Sequence, residues 1–214
     1  MFKQPVYFIS DNHFTLDIDL HEKERRNRLY QVFEHIKSTG GTLVIGGDFF
    51  DFWFDYHYVL PAGYVDLLEQ LHQLNQSGID IHFVLGNHDY WDFGYFRQKF
   101  NAEVYTGNIE FEHNSSRIQV CHGDGLLKND TGYRFMKKVI RSRFSIFLFR
   151  NFHADWGCWL AKQISRASGS YHHHDAKIKT IRKPPAKHQV LMVFGWFSAR
   201  FSAKRRRPLG LRTR

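Results

Sequence analysis

Cysteine is scarce. Only Cys121 and Cys158 occur, far apart and without a paired pattern, which excludes a disulfide framework and a zinc-ribbon spacing and fits a reducing compartment. Long apolar runs are missing too: no stretch reaches the roughly 18 uncharged apolar residues that a spanning helix needs, so at most a membrane-surface association is expected. The N-terminal MFKQPVYFIS lacks the charged region, apolar core and small-residue cleavage site of an export signal, and the expectation is a cytoplasmic protein. Acidic residues are absent from residues 182–214, which hold ten Lys or Arg. The formal net charge of +9 therefore belongs to this tail, because the preceding body carries twenty basic against twenty-one acidic residues. That distribution argues against a specific nucleic-acid partner.

What is present suits a packed globular protein. At 214 residues with 43% hydrophobic and 17% aromatic content, one domain with a real core is the expectation. Val6-Tyr7-Phe8-Ile9 reads as a strand buried on both faces. Leu29, Val32, Phe33 and Ile36 recur with helical period before Gly40-Gly41, and Leu43-Val44-Ile45 reads as a second strand. Tyr64, Leu67, Leu68, Leu71 and Leu74 mark a second helix between Pro61 and Gly78, and Ile81 to Leu85 a third strand. This alternation predicts a layered α/β domain with ligands at the carboxyl ends of the strands. A further strand through Ile118 and Val120 is expected to pair with the segment from Asn108 to Phe111.

Residues 130 to 168 differ in texture and read as two helices. Phe144, Phe147, Leu148, Phe152, Trp156, Trp159 and Leu160 form an apolar surface flanked by Lys137, Lys138, Arg141, Arg143 and Arg150. Two readings stand: a helical cap packed on the α/β body, or a surface for an acyl chain or membrane interface. The implied organisation is a core over 1–129, a cap over 130–181 and a basic tail over 182–214.

Each expected strand end carries potential metal ligands. They are Asp11-Asn12-His13, Gly46-Gly47-Asp48, Gly86-Asn87-His88-Asp89 and His122-Gly123-Asp124. Clusters of divalent ions for phosphoryl chemistry need carboxylate, imidazole and amide ligands converging from separate segments, and glycine beside each lets the backbone come close. A single D-x-H would be explained as a turn-capping Asp; a set repeated at four strand ends in this order is not.

The chain resembles the calcineurin-like metallophosphoesterases, whose pattern runs D-x-H, G-D, G-N-H-[DE], H-G and G-H-x-H. The resemblance implies a four-layered α/β/β/α sandwich with a cap insertion and two divalent ions, expected to be manganese. It implies that Asp11 and His13 bind one ion, Asp48 bridges both, and Asn87 and His122 bind the other. His88 would donate a proton to the leaving oxygen with Asp89 orienting it, and water activated by the ions would attack the phosphorus in line. Within that superfamily, Gly46-Gly47-Asp48-Phe49-Phe50-Asp51-Phe52-Trp53, His122-Gly123-Asp124, Asp130 and Gly132-Tyr133-Arg134 are similar to the UDP-2,3-diacylglucosamine pyrophosphatases of lipid A synthesis. That likeness implies cleavage of a lipid-linked nucleotide diphosphate to UMP and a lipid monophosphate at the inner-membrane surface. Asp130, Tyr133, Arg166 and Lys177 are the expected phosphate and sugar contacts. The alternatives are another phosphodiesterase or phosphatase of the superfamily, or an inactive remnant that binds lipid or a partner.

The pattern is broken at one place. After the expected strand Val190 to Phe194 the chain reads Gly195-Trp196-Phe197-Ser198 where G-H-x-H belongs, and Trp and Phe cannot ligate a hard cation. With the basic tail beyond Arg182, this suggests an ending shifted in frame, or else a natural tail for anionic lipid or nucleic acid, with a solvated tail the plainer account. His172-His173-His174-Asp175 reads as a polar loop, and Asp51 and Asp55 as loop residues at the mouth of the site.

Overall fold

A computed structural model describes residues 2–113, 116–123, 131–151, 153–160, 163 and 189–193. Four parallel strands, β1 (Val6–Ile9), β2 (Thr42–Ile45), β3 (Asp80–Val84) and β4 (Glu103–Tyr105), lie side by side in chain order. They are joined by helices α1 (Leu20–Thr39), α2 (Val65–Gln76) and α3 (Tyr95–Phe100). The period-2 alternation of the strands then divides the core in two. Leu43, Ile45, Ile81 and Phe83 pack against Leu29, Phe33, Leu67, Leu71, Phe96 and Phe100 of the helices. Val44 and Val84 point the other way, where Val6, Phe8 and Tyr105 join Ile109, Ile118 and Val120.

That second group belongs to another sheet. β5 (Ile109–His113) pairs antiparallel with β6 (Ser116–Cys121), and β6 pairs parallel with β7 (Gln189–Val193). The described residues therefore form helix, sheet and sheet layers, an α/β fold as expected, and both the β5–β6 pairing and the late strand are present. The short α3 and β4 had no counterpart in the sequence reading, because six and three residues are too few to establish a period.

α1 begins where Asp19 accepts a bond from the Glu22 backbone N–H at 2.7 Å, and ends where the Gly40 N–H reaches Ile36 O at φ 75°. Its buried face is not the one expected throughout: Leu29, Phe33 and Ile36 are buried, but Val32 is exposed, and Glu22 and Arg26 are buried instead. α3 is likewise started by a carboxylate. Asp92 accepts from the Phe96 N–H at 3.1 Å and the Gly94 N–H at 3.2 Å. Burial pushes the Asp92 carboxyl up to about 6, against the pull of those two bonds, with the charge of Asp55 adding to the rise. A carboxyl raised in the folded state contributes stability below its unfolded value, and loses it as pH climbs through the folded one. Asp92→Asn keeps the acceptor and removes the titration. Its stability relative to the parent, read from urea midpoints, should therefore rise between about pH 4.5 and pH 7; a gap that stays constant across that window refutes the assignment.

The aromatic, basic region holds three helical segments rather than two: α4 (Thr131–Ile140), α5 (Arg143–Asn151) and residues 154–160. The first break falls where the Ser142 hydroxyl accepts from the Ser145 N–H at 3.2 Å and so caps α5; the second falls near His153. One side of this region packs on the body, with Ile146, Phe149, Ala154 and Cys158 against Phe52, Phe54, Tyr56 and Trp91. The other exposes Phe135, Phe144, Phe147, Trp156 and Trp159 to solvent. Among the described residues no helix is long and apolar enough to cross a membrane.

Candidate metal centre

The strands deliver their ligand-bearing ends to one place because β1, β2 and β3 are parallel and in register. Beyond the last paired residues the three loops stay bonded: Asp11 N–H to Gly47 O at 3.0 Å, His13 N–H to Asp48 O at 2.9 Å, and Trp53 N–H to His88 O at 2.8 Å. Asp11, His13 and Asp48 all adopt positive φ, at 52°, 46° and 51°, and only Asn101 among the other described non-glycine residues does so. A left-handed L-residue costs on the order of 1 kcal/mol, and such strain gathers where a site dictates direction over comfort. Two glycines make the approach possible. A Cβ on Gly47 would lie 2.6 Å from His122 Nδ1, and one on Gly86 would lie 2.1 Å from Asp48 Oδ1.

Asp48 stands at the centre and is fully buried. Its Oδ1 accepts the His88 N–H at 2.9 Å, while Oδ2 lies 3.1 Å from His122 Nε2 and 3.6 Å from His13 Nε2. Burial alone would raise this carboxyl; His122, His88 and His13 overcome it and hold the group below its ordinary value. On the other side, ligand atoms of Asp11, His13 and Asp48 all lie within 4.8 Å of one another. Burial works to lower His13, but the carboxylates of Asp51, Asp48 and Asp11 prevail and raise it.

The donor set fits divalent cations. Of six buried side-chain atoms left without a hydrogen bond among the described residues, three are the acceptor oxygens Asp11 Oδ1, Asn12 Oδ1 and Asp48 Oδ2. Orphaned buried acceptors are rare in folded proteins, and three from adjoining loops call for a cationic partner. His122 makes the same case from the nitrogen side. Its Nδ1 lies 3.3 Å from the Gly46 carbonyl, and a proton held there would free the Nε2 lone pair for a cation. Nε2 itself lies between Asp48 Oδ2 at 3.1 Å and Asn87 Oδ1 at 3.0 Å, both of which can only accept, so without a metal it is the donor there. A divalent ion could take the place of the Nε2 proton there and draw on all three atoms at once. Asp11 and His13 with Asp48 would hold one ion, and Asp48 with Asn87 and His122 a second.

His88 sits beside this cluster, its ring edge-on to His13 with centroids 4.7 Å apart. The expectation that Asp89 orients it is corrected by the geometry. His88 Nδ1 bonds the Asp51 main-chain oxygen at 2.5 Å, with the Asp51 carboxylate 3.9 Å away. Asp89 is fully buried behind the site, where Oδ1 accepts the Gly86 N–H at 2.7 Å and Oδ2 the Phe49 N–H at 2.8 Å. It ties the Asn87 loop to the Asp48 loop and never reaches the imidazole. Burial, with the Asp48 charge behind it, pushes Asp89 up to about 7.

Asp51 is the residue that sequence reasoning misplaced. Rather than shaping the mouth, it lies 3.7 Å from His13 Nδ1 and forms a second three-residue cluster with His13 and His88. The signal was its spacing, three residues after Asp48 in the same loop. Asp55 is an ordinary loop residue, accepting from the Phe93 N–H at 3.1 Å. Asp124, Asp130, Arg166, Lys177, the histidines from 172 to 174 and the segment Gly195-Trp196-Phe197-Ser198 lie outside the described residues, as does the side chain of Tyr133.

The sequence has recognisable relatives among known proteins. The sequence model of the family described as Calcineurin-like phosphoesterase matches residues 4–195. A UDP-2,3-diacylglucosamine hydrolase of Porphyromonas gingivalis is 30% identical over 167 residues, covering 78% of this chain and 64% of that protein. Enzymes of the same name from Stutzerimonas stutzeri and from Neisseria meningitidis serogroup A are 28% and 25% identical, covering 62% and 77% of this chain. The chain spans 57% and 67% of those two proteins.

Proposed function

Because this chain belongs to the calcineurin-like phosphoesterases, we propose that it hydrolyses the diphosphate of UDP-2,3-diacylglucosamine, releasing UMP and an acylated sugar monophosphate. The observation that carries the reading is the convergence of Asp11, His13, Asp48, Asn87 and His122, with Asp11 Oδ1 and Asp48 Oδ2 buried and without a hydrogen bond. Two divalent ions, manganese in this reading, would polarise the phosphoryl oxygens and acidify the attacking water. The protein's own part is orientation. Asp48 holds His13 and His122 at a common carboxylate oxygen, and the Nδ1 of His88 is occupied by the Asp51 carbonyl, which leaves Nε2 to carry a proton to the departing oxygen.

The substrate class follows from the named relatives and from the cap, whose exposed Phe135, Phe144, Phe147, Trp156 and Trp159 stand among Lys137, Lys138, Arg143 and Arg150. In this reading residues 1–129 are the catalytic core, 130–181 a cap that takes the acyl chains and rests on the inner membrane from the cytoplasmic side, and 182–214 a tail. Asp130, Tyr133, Arg166 and Lys177 are proposed contacts to phosphate and sugar.

The absent G-H-x-H sets the experiment. Release of UMP from UDP-2,3-diacylglucosamine in detergent micelles is measured with manganese, for the chain as it stands and for the double variant W196H/S198H. Two added imidazoles should raise both cation affinity and rate, since each ligand contributes to holding the ions. Cleavage of bis(p-nitrophenyl) phosphate without UMP release would move the reading to a phosphodiesterase that does not use the lipid. Turnover of neither compound by either protein would reduce the chain to a non-catalytic remnant.

A further inference from the structure

We propose that Arg141 of the cap is a positioning residue for the loop that carries Asn87 and His88, so that the cap is part of the scaffold of the metal centre. That role presupposes the phosphoesterase reading given above. The observations are two contacts that bracket the loop. Arg141 Nη2 donates to the Gly86 carbonyl at 3.4 Å, and the guanidinium carbon lies 3.5 Å from the centre of the Tyr90 ring. Gly86 and Tyr90 are the two residues flanking Asn87-His88-Asp89.

Gly86 is thereby held at both of its backbone polar groups. Asp89 takes its N–H from the interior at 2.7 Å, and Arg141 takes its carbonyl from the cap. Between these anchors the His88 N–H is bonded to Asp48 Oδ1, and Asn87 Oδ1 meets His122 Nε2. A planar guanidinium suits this task because one edge can donate while its face stacks on an aromatic ring; an ammonium offers only a point charge. The Arg141 backbone N–H closes the last turn of α4 on Lys137 O at 3.1 Å, so the side chain leaves the cap from a fixed root. Phe149 of α5 packs on Phe52 and Phe54, which follow Asp51 in the neighbouring loop. Cap helices thus brace both loops that hold His88.

The test separates positioning from substrate contact by using a compound too small to need the cap. With bis(p-nitrophenyl) phosphate and manganese, Arg141→Ala should lower kcat by about 10- to 100-fold with little change in KM, and manganese affinity measured by calorimetry should fall in parallel. Arg141→Lys should recover only part of the loss. Tyr90→Leu, which removes the ring from the other side, should act in the same direction. The Arg141→Ala/Tyr90→Leu double variant should be no worse than the more damaging single one, because both cut the same clamp. Arg28→Ala, which removes an exposed cation of α1 paired with Glu24, should leave all these quantities in place. A raised KM with unchanged kcat would make Arg141 a substrate contact and overturn the proposal, as would unchanged kcat and manganese affinity in an active enzyme. A parent protein that cleaves no phosphoester at all would instead sink the reading on which the proposal stands.

Discussion

Asp48→Asn is expected to lower manganese affinity by more than about 100-fold and to remove measurable phosphoester hydrolysis, while leaving the metal-free protein folded. The magnitude follows from position. Residues that merely orient a metal ligand cost about 10- to 100-fold when replaced, and among the described residues Asp48 is the one carboxylate that faces both His13 and His122. An amide of the same shape keeps the bond from the His88 N–H to Oδ1. It cannot offer a charged oxygen to two cations, and its NH₂ would donate to the His122 lone pair that the ion requires. Folding should survive because the carboxylate is opposed only by histidines in the metal-free protein, so removing the charge leaves no stranded permanent cation. The melting temperature without metal should move by only a few degrees, about 2–4 °C for each kcal/mol in a chain of this size. Calorimetric titration with manganese decides the matter: an affinity equal to that of the parent would remove Asp48, and with it the paired-ion centre, from the account.

The metal centre was legible in the sequence because its chemistry is local. A ligand that must leave a strand end at a sharp angle brings its glycine with it, and Gly47 and Gly86 stand where a Cβ would strike His122 and Asp48. The strands that order these loops were legible for a related reason: both faces of the first sheet are covered, so Leu43-Val44-Ile45 is continuously apolar. What escaped was decided across long sequence distances. Asp89 and Asp51 both lie close to His88, and only coordinates show that the first binds Phe49 and Gly86 while the second supplies the carbonyl. The break at Ser142 was hidden for the opposite reason, since a serine inside an aromatic, basic run carries too little pattern to announce a new helix start. Val32 was assigned to the buried face of α1 because it fits the helical period, whereas a period cannot reveal that the same face, one turn earlier, closes on an ionic cluster.

That cluster carries the other large effect: Arg26→Met is expected to destabilise the protein by about 3–5 kcal/mol. Arg26 is 2% exposed and joins three pieces of chain, α1 itself, the loop at Thr15 and the start of α2. Its Nε meets Glu22 at 3.0 Å, Nη1 meets Asp66 at 2.6 Å and the Gly63 carbonyl at 2.8 Å, and Nη2 meets the Thr15 carbonyl at 2.6 Å. Methionine fills the space of the stem but leaves Glu22, itself 2% exposed, with only Arg25 to balance it, and strands two carbonyls. Asp66 is about half exposed and can turn to water, so most of the loss should trace to Glu22. Hence Glu22→Leu combined with Arg26→Met should be less destabilised than Arg26→Met alone, since an apolar pair removes the buried charge together with its partner. The acid limb should change as well. Burial would raise the Asp66 carboxyl, but its bonds from Tyr30 and Arg26 hold it below the ordinary value. Its contribution is therefore present above the unfolded carboxylate range and lost as pH falls through the depressed folded value, and Arg26→Met should blunt that loss. Urea unfolding at neutral and acid pH reads both effects. A single variant that unfolds at the parent's midpoint, or a double variant weaker than the single, would mean that α1 and α2 are held by their apolar faces and that the buried charges are incidental.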